Sequence, residues 1–167
     1  AQYEHQLMLH YSELMRAKLG LTQWEEEDPA LFRQLFQLLA AHRVDYHLFL
    51  RRLGELTSQG EWPASLLALL PDPAPWQEWL DAYRARLARE GSQDAARKAR
   101  MDAVNPKYVL RNALAQQVID AAETGNMAPF ERLFAALQRP YDEQPEYEDL
   151  ATPVPQWYCG GELSCSS

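Results

Sequence analysis

The chain has 167 residues, of which 47% are hydrophobic, so it is long enough and apolar enough to bury the core of one domain. Its net charge of −8 disfavours contact with a phosphate backbone, and we expect no nucleic-acid partner. No apolar run approaches the ~20 residues of a membrane span, so we expect no membrane partner either.

The first third of the chain predicts three helices. Apolar residues recur at helical spacing from Tyr3 to Leu19, and Gly20 predicts the end of that helix. A second helix is predicted to begin at Pro29, with Asp28 as its capping residue. A third is predicted from Asp45, again as a cap, to Leu56. With 7 glycines and no alternating run of Val, Ile or Thr, the chain favours an all-α fold.

The middle of the chain predicts a short apolar helical turn at 63–70, a long helix from Ala74 to Glu90, and a polar helix from Gln93 to Ala103. The long helix is expected to turn five residues inward: Trp76, Trp79, Leu80, Tyr83 and Leu87. The polar helix is weakly amphipathic, and we expect it to be exposed. Acidic residues interleave a basic cluster, which we interpret as a solvated helix face; it comprises Arg84, Arg86, Arg89, Arg97, Lys98 and Arg100.

The last helices follow a second cap-and-proline signal. Asn105-Pro106 predicts a helix that runs to Ala122 and ends at Gly125, and its strong amphipathic pattern places it in the centre of the core. A final helix is predicted from Ala128 to Gln138. Together these make about seven helices in an irregular orthogonal bundle over residues 1–139, followed by an irregular Pro/Gly-rich tail over residues 140–167.

The sequence contains no complete catalytic constellation. The four histidines form two pairs with a spacing of five, which does not suit one helical face, so we predict no metal site. Neither a Gly-x-Ser-x-Gly elbow nor a phosphate-cradling glycine loop occurs. The acidic run 25–28 precedes a helix, whose N-terminal dipole favours it without any catalytic demand.

Residues 105–112 are the best candidate for a binding site. Asn105, Lys107, Arg111 and Asn112 lie near a predicted helix N-terminus, whose free amides favour an anion, so phosphate contact or docking against another domain is one interpretation. An ordinary capped helix with exposed basic residues is the other, and spacing alone favours it. Arg111 would equally suit an acidic partner on a neighbouring helix.

Both cysteines, Cys159 and Cys165, lie near the chain end, so they do not form a disulfide framework. Cys165 stands among small polar residues, where a thiol is exposed and able to react or pair. The two cysteines could also close a local disulfide, and a harmless terminal cysteine is the third interpretation.

Three segments resemble the selenoprotein O family: 14–21 (LMRAKLGL), 105–112 (NPKYVLRN) and 164–167 (SCSS). Residues 45–53 and 139–142 also resemble it, so the similarity covers most of the chain in the right order. The resemblance is to the C-terminal region of a considerably longer family. The chain also starts without Met and enters helical periodicity at once, which predicts a cut inside a longer protein.

The resemblance implies a kinase-like protein that transfers AMP from ATP to Ser, Thr or Tyr of other proteins, using Mg or Mn. It implies as partners an upstream kinase-like domain and protein substrates, and a bacterial cytoplasmic location. The family's catalytic residues match no position here, so we expect this fragment alone to be inactive and to bind neither ATP nor metal. Cys165 matches the place of selenocysteine in eukaryotic members and becomes the redox candidate, whereas Cys159 matches no family motif.

A stand-alone, non-enzymatic helical interaction module is the alternative. It would bind a partner through the acidic surface or through residues 105–112. A piece of a larger fold should in addition show an exposed apolar face, through which the chain could dimerise.

Overall fold

The computed structural model describes residues 2–153, with side chains from residue 6 onward. Within that range the chain is helical without strands, as the composition predicts, and no described helix is long and apolar enough to cross a membrane. The helices are α1 (Gln2–Lys18), α2 (Asp28–His42), α3 (Tyr46–Leu53), α4 (Ala64–Leu67), α5 (Gln77–Arg89), α6 (Asp94–Asp102), α7 (Asn112–Glu123) and α8 (Ala128–Gln138). Two 3₁₀-helices span Ala74–Trp76 and Pro145–Leu150.

The chain divides into two compact units, Ala1–Asn105 and Pro106–Ser167, called units 1 and 2 below. The predicted boundary between residues 139 and 140 separates helices from tail, which is a different division, and it stays a prediction. The 3₁₀-helix at Pro145–Leu150 shows that part of the predicted tail is regular structure.

Local signals set several helix ends in unit 1. The Asp45 carboxylate accepts a hydrogen bond from the Leu48 amide at 2.9 Å, which confirms it as the cap of α3. The predicted cap at Asp28 is wrong. Asp28 is the first residue of α2, and its carboxylate accepts from the Glu25 amide and from Arg86 instead.

The core of unit 1 is built around aromatic side chains from α3, from α5 and from the 3₁₀-helix Ala74–Trp76 that precedes α5. Trp76, Trp79 and Tyr83 are fully buried, as predicted, together with Phe49. The Trp79 indole N–H donates to the Leu31 carbonyl at 2.9 Å, and the Tyr83 hydroxyl donates to the Leu19 carbonyl at 2.7 Å. The polar ends of Trp79 and Tyr83 are therefore satisfied inside the core, which is the usual condition for burying Trp and Tyr, whereas the buried Trp76 indole nitrogen has no hydrogen-bond partner among the described residues.

The prediction that the polar helix α6 is exposed is wrong for one of its faces. Arg97 and Met101 are fully buried, and α6 packs on α1 and α3. The Arg97 guanidinium donates to the Leu56 carbonyl and to Asp94, at 2.8 Å for the latter. Burial is tolerated because these partners replace the lost water, and the long aliphatic stem of Arg97 packs as an apolar group.

Gly20 ends α1 with a φ of +68°, and a Cβ there would lie 2.5 Å from Cγ of Arg97 and 2.8 Å from Cγ of Met101. Gly20→Ala should therefore lower the free energy of unfolding by about 2–4 kcal/mol, from backbone strain plus overpacking. Gly91→Ala is the matched control, since its φ is +65° with no atom within 4 Å, and it should cost only about 1–2 kcal/mol. Urea unfolding midpoints measure both, and equal losses would contradict the close packing at Gly20.

Unit 2 corrects two predictions about α7. The helix begins at Asn112, not at Pro106, and Ala113 is its single buried residue among those described, so it is not central to a core. The core of this unit consists of Tyr108, Ala136 and Ala151, with partly buried neighbours around them. The amphipathic face of α7 lies beside α8 and residues 149–153, and among the described residues these neighbours bury only Ala113 of the helix.

Candidate functional site

The candidate segment 105–112 does not form a helix start around Asn105. The Asn105 side chain donates to the Lys18 carbonyl at 2.9 Å and accepts from the Lys18 amine at 3.4 Å. Its backbone carbonyl accepts from Arg51 at 3.1 Å. Asn105 is buried and its side chain binds the last carbonyl of α1, so it is not the N-cap of α7.

Lys107 lies at the start of unit 2 and does not face a helix N-terminus. Its amine forms ion pairs with Glu143, at 2.6 Å, and with Glu148, and its backbone amide donates to the Pro140 carbonyl at 2.8 Å. Burial lowers the pKa of Lys107, but the two carboxylates raise it further, so its pKa lies above the ordinary lysine value. The Lys107 charge, which one interpretation assigned to an anion, is already paired within unit 2.

Tyr108 explains why the segment is extended rather than helical. Its amide shares the Pro140 carbonyl with Lys107, and its hydroxyl donates to the Gln144 carbonyl at 2.8 Å. The Gln144 side chain in turn donates to the carbonyls of Ala136 and Arg139 at the end of α8. These contacts hold residues 107 and 108 against the 136–144 segment, where a helix from Pro106 does not form.

Arg111 and Asn112 are the two candidates at the true start of α7. Arg111 is the N-cap residue, with extended backbone and a largely buried side chain that donates to the Val109 carbonyl at 3.4 Å. Asn112 is the first helical residue and is exposed. Arg111 lines a small cavity of about 170 Å³ together with Asp149 and Thr152. The structure thus places Asn105 in unit 1 and the other three candidates in unit 2, without forming one site from them.

Lys107→Met should loosen unit 2 by about 1 kcal/mol, because the partners Glu143 and Glu148 are more than half exposed and water screens the pairs. The folded state holds the Lys107 proton more tightly than the unfolded chain does. Its contribution is therefore fully present below the ordinary lysine pKa of 10.5 and is lost as pH rises above it.

Amide exchange of residues 140–150 measures this loss, which should be constant between roughly pH 6 and 9. Arg139→Met is the matched control, since Arg139 is exposed and lies 3.9 Å from Asp142. Equal effects of the two substitutions would show that the paired carboxylates do not hold the segment.

The densest charge cluster of the described residues is buried in unit 1 and was missed by sequence reasoning. The Arg86 guanidinium contacts Asp28 at 2.7 Å and both Glu25 and Glu90 at 3.1 Å. It also donates to the Gln23 carbonyl at 2.7 Å. Burial lowers the pKa of Arg86, while Asp28 and the other carboxylates raise it above its ordinary value, so the guanidinium stays charged.

The sequence interpretation placed six basic residues on a solvated helix face. It is wrong for two of them, because Arg86 and Arg97 are buried. A periodicity signal was available for the first. Trp79, Tyr83 and Arg86 stand at positions i, i+4 and i+7 of α5, which is one helix face. Each member of the Arg86 cluster already has protein partners, so the cluster links the 23–28 loop to α5 rather than presenting a ligand site.

Other sequence candidates are placed as follows. Over the described residues, no group of three His, Cys, Asp or Glu comes close enough to hold a metal. His42 packs on the Trp76 ring and His47 on the Tyr46 ring, at centroid distances of 5.9 Å and 5.1 Å. Cys159 and Cys165 lie outside the described residues, so their predicted redox role stays a prediction.

Most of the chain matches a known protein family. The sequence model of the family described as "Protein adenylyltransferase SelO" matches residues 1–138, which is most of the chain. This chain belongs to the SelO family. The resemblance to the selenoprotein O family that the sequence suggested is therefore confirmed.

Several curated relatives in the SelO family bear the name protein nucleotidyltransferase YdiU. The Aeromonas salmonicida (strain A449) protein is 84% identical over all 167 residues, and this chain covers 35% of that protein. The Aeromonas hydrophila protein is 83% identical over the same span, again 35% of its length. The Ectopseudomonas mendocina protein is 47% identical over 163 residues, which are 95% of this chain and 32% of that protein. The chain thus spans about a third of the length of these relatives.

Proposed function

We propose that this chain is the helical C-terminal region of a protein adenylyltransferase, and that it packs on an upstream kinase-like core. The observation that carries the proposal is the family match over residues 1–138, together with relatives that are about three times as long. Exposed apolar side chains on α1, α7 and α8 give physical support, because such surface is normally covered.

The reaction proposed for the complete protein moves AMP from ATP to the hydroxyl of Ser, Thr or Tyr in a protein substrate. The hydroxyl oxygen forms a bond to the α-phosphorus, the bond between the α- and β-phosphates breaks, and pyrophosphate leaves. Mg or Mn would neutralise the phosphate charge in such a transfer. This step is proposed for the part of the protein that precedes the present chain.

We propose that ATP and the metal bind outside the described residues. Residues 2–153 bring no three metal-binding side chains together, and Lys107, for which phosphate contact was one interpretation, is paired with Glu143 and Glu148. We therefore assign no catalytic step to this chain. For residues 105–112 the same pairing argues against anion contact at Lys107.

Thermal unfolding with ATP and Mg or Mn tests the proposal. The present chain should show no shift of its midpoint, whereas the complete Aeromonas salmonicida relative should be stabilised by about 2.7 kcal/mol at a hundredfold excess over its Kd. A nucleotide-dependent shift of the chain itself would place a nucleotide site here and overturn the assignment. The absence of a shift in the complete relative would overturn the adenylyltransferase proposal.

We place the redox function of the family's chain end on Cys165. Its thiolate would attack glutathione disulfide and release one glutathione, and a second protein thiol would then displace the other to form an intramolecular disulfide. That second cysteine is proposed to lie in the catalytic region. Cys159 serves as the matched control, because it shares the tail but no family motif.

A chimera that carries this chain in place of the matching third of the Aeromonas salmonicida relative allows the test. After treatment with glutathione disulfide, peptide mapping without reduction should find Cys165 linked to a cysteine outside the chain. Cys165→Ser should abolish the link and Cys159→Ser should keep it. A Cys159–Cys165 bond as the main product would contradict this role.

A further inference from the structure

The first turns of α1 carry exposed apolar residues that lie in line with its buried core residue Met15. Leu7, Met8, Tyr11 and Leu14 fall with Met15 on one stripe of the helix, about 120° wide at 100° per residue. Met15 is 2% exposed, whereas the other four residues of the stripe are 44–62% exposed. The stripe is uncovered from Leu7 to Leu14 and buried at Met15, as expected of a core that another segment completes.

A groove lies beside this stripe, between α1 and α2. Met8 and Tyr11 line it from α1, and Phe32 and Phe36 line it from α2, with Trp24 from the connecting loop. The groove has a volume of about 610 Å³, and the Trp24 and Phe32 rings lie 5.7 Å apart. Its size and aromatic lining suit several apolar side chains.

Two occupants of this surface differ in the area that they require. The four exposed side chains and the groove offer on the order of a few hundred Å², less than the roughly 800 Å² per partner of a stable homodimer. A segment of the same polypeptide needs less area, because tethering raises its effective concentration. The relatives carry about two thirds of their length outside the part that matches this chain, which supplies such a segment.

We infer that the Leu7–Met8–Tyr11–Leu14 stripe and the adjoining α1–α2 groove bind an apolar segment of the upstream part of the complete protein. This inference rests on the proposed function and specifies the surface that it uses. The α1 stripe then acts as a ridge that joins the core of unit 1 to the preceding domain. The self-association that the sequence suggested as a second use of an apolar face is the competing occupant.

Hydrogen exchange of the α1 amides tests the inference in two proteins as they exist. In the complete Aeromonas salmonicida relative, the peptide matching residues 2–14 should exchange at least about tenfold more slowly than in the present chain. A peptide from the buried face of α5 should exchange equally in both and serves as the internal control. Equal exchange of the α1 peptide in the two proteins would overturn the inference.

Light scattering of the present chain tests whether a second copy of the chain covers the stripe instead. We expect a monomer, unchanged by the double substitution Leu7→Glu with Leu14→Glu, and equally unchanged by the matched control Leu110→Glu in unit 2. The contrary result is a dimer that the double substitution dissociates and the control leaves intact. It would assign the stripe to self-association and overturn our inference. Neither experiment uses nucleotide. A failure of this inference is therefore distinguishable from a failure of the proposed function, which the ATP-dependent midpoint shift tests.

Discussion

Arg86→Met should lower the free energy of unfolding of unit 1 by about 3–5 kcal/mol, because it leaves two carboxylates buried without their counterion. Asp28 is 1% exposed, and the side chain of Glu90 is also 1% exposed. One Glu90 oxygen, Oε1, already has no hydrogen-bond partner among the described residues. Methionine keeps the volume of the arginine stem, so the loss reports the charge rather than a cavity.

Arg89→Met is the matched control for Arg86→Met. Arg89 lies on the same helix and pairs with Glu25 at 2.7 Å, but its side chain is half exposed. Water therefore screens the pair, and its removal should cost no more than about 1 kcal/mol. Urea titration of both variants gives the comparison. A loss below about 1 kcal/mol for Arg86→Met would contradict the structural role of the buried cluster.

Trp79→Ala should cost about 3–5 kcal/mol, the range for removing a large buried aromatic side chain. Trp79 is fully buried, stacks on Tyr83 at a centroid distance of 5.4 Å and contacts Phe49 at 5.9 Å. Its removal leaves a cavity that surrounding helices fill only in part, and it removes the indole hydrogen bond to the Leu31 carbonyl.

Trp24→Ala provides the control for Trp79→Ala, because it removes the same side chain from a site that is 44% exposed. We expect a loss below about 1 kcal/mol there, with an unchanged urea m-value. The two urea unfolding curves test whether Trp79 lies in the core and Trp24 on the surface. Equal losses would show that Trp79 does not lie in the core.

Short-range signals predicted the helices well where both the signal and its partner are close in the chain. The Asp45 cap needs only the Leu48 amide, three residues on, and Gly20 needs only its own positive φ. The inward face of α5 was correct for the same reason, because helical periodicity alone places Trp79, Tyr83 and Leu87 on one side.

Distant partners explain the predictions that were wrong. Asn105-Pro106 carries the same kind of signal as Asp45, yet Lys18, 87 positions earlier, engages the Asn105 side chain. Arg86 is buried because Asp28, 58 positions earlier, receives its guanidinium. Acidic residues beside an arginine favour a solvated face and a buried ion pair equally, so local sequence could not decide between them.

The family assignment came from motif resemblance, whereas physical chemistry of the chain supplied no catalytic group. Residues 105–112 drew attention through basic residues near a predicted helix start and then through that resemblance. The structure shows them as the passage from one unit to the next, held by Lys18 and Pro140. The uncovered stripe on α1 was only foreseen in general terms. Its position depends on which turns of α1 the rest of unit 1 covers, which periodicity cannot show.

Intact mass after incubation with ATP and Mn, in the presence of a protein substrate, tests the central claim most directly. We predict no AMP adduct on the present chain or on the substrate, while the complete Aeromonas salmonicida relative, treated identically, should add AMP to hydroxyl groups. An AMP adduct formed by the present chain alone would contradict the claim that the catalytic residues lie outside it, and Lys107, Arg111 and Asn112 would be the first residues to substitute.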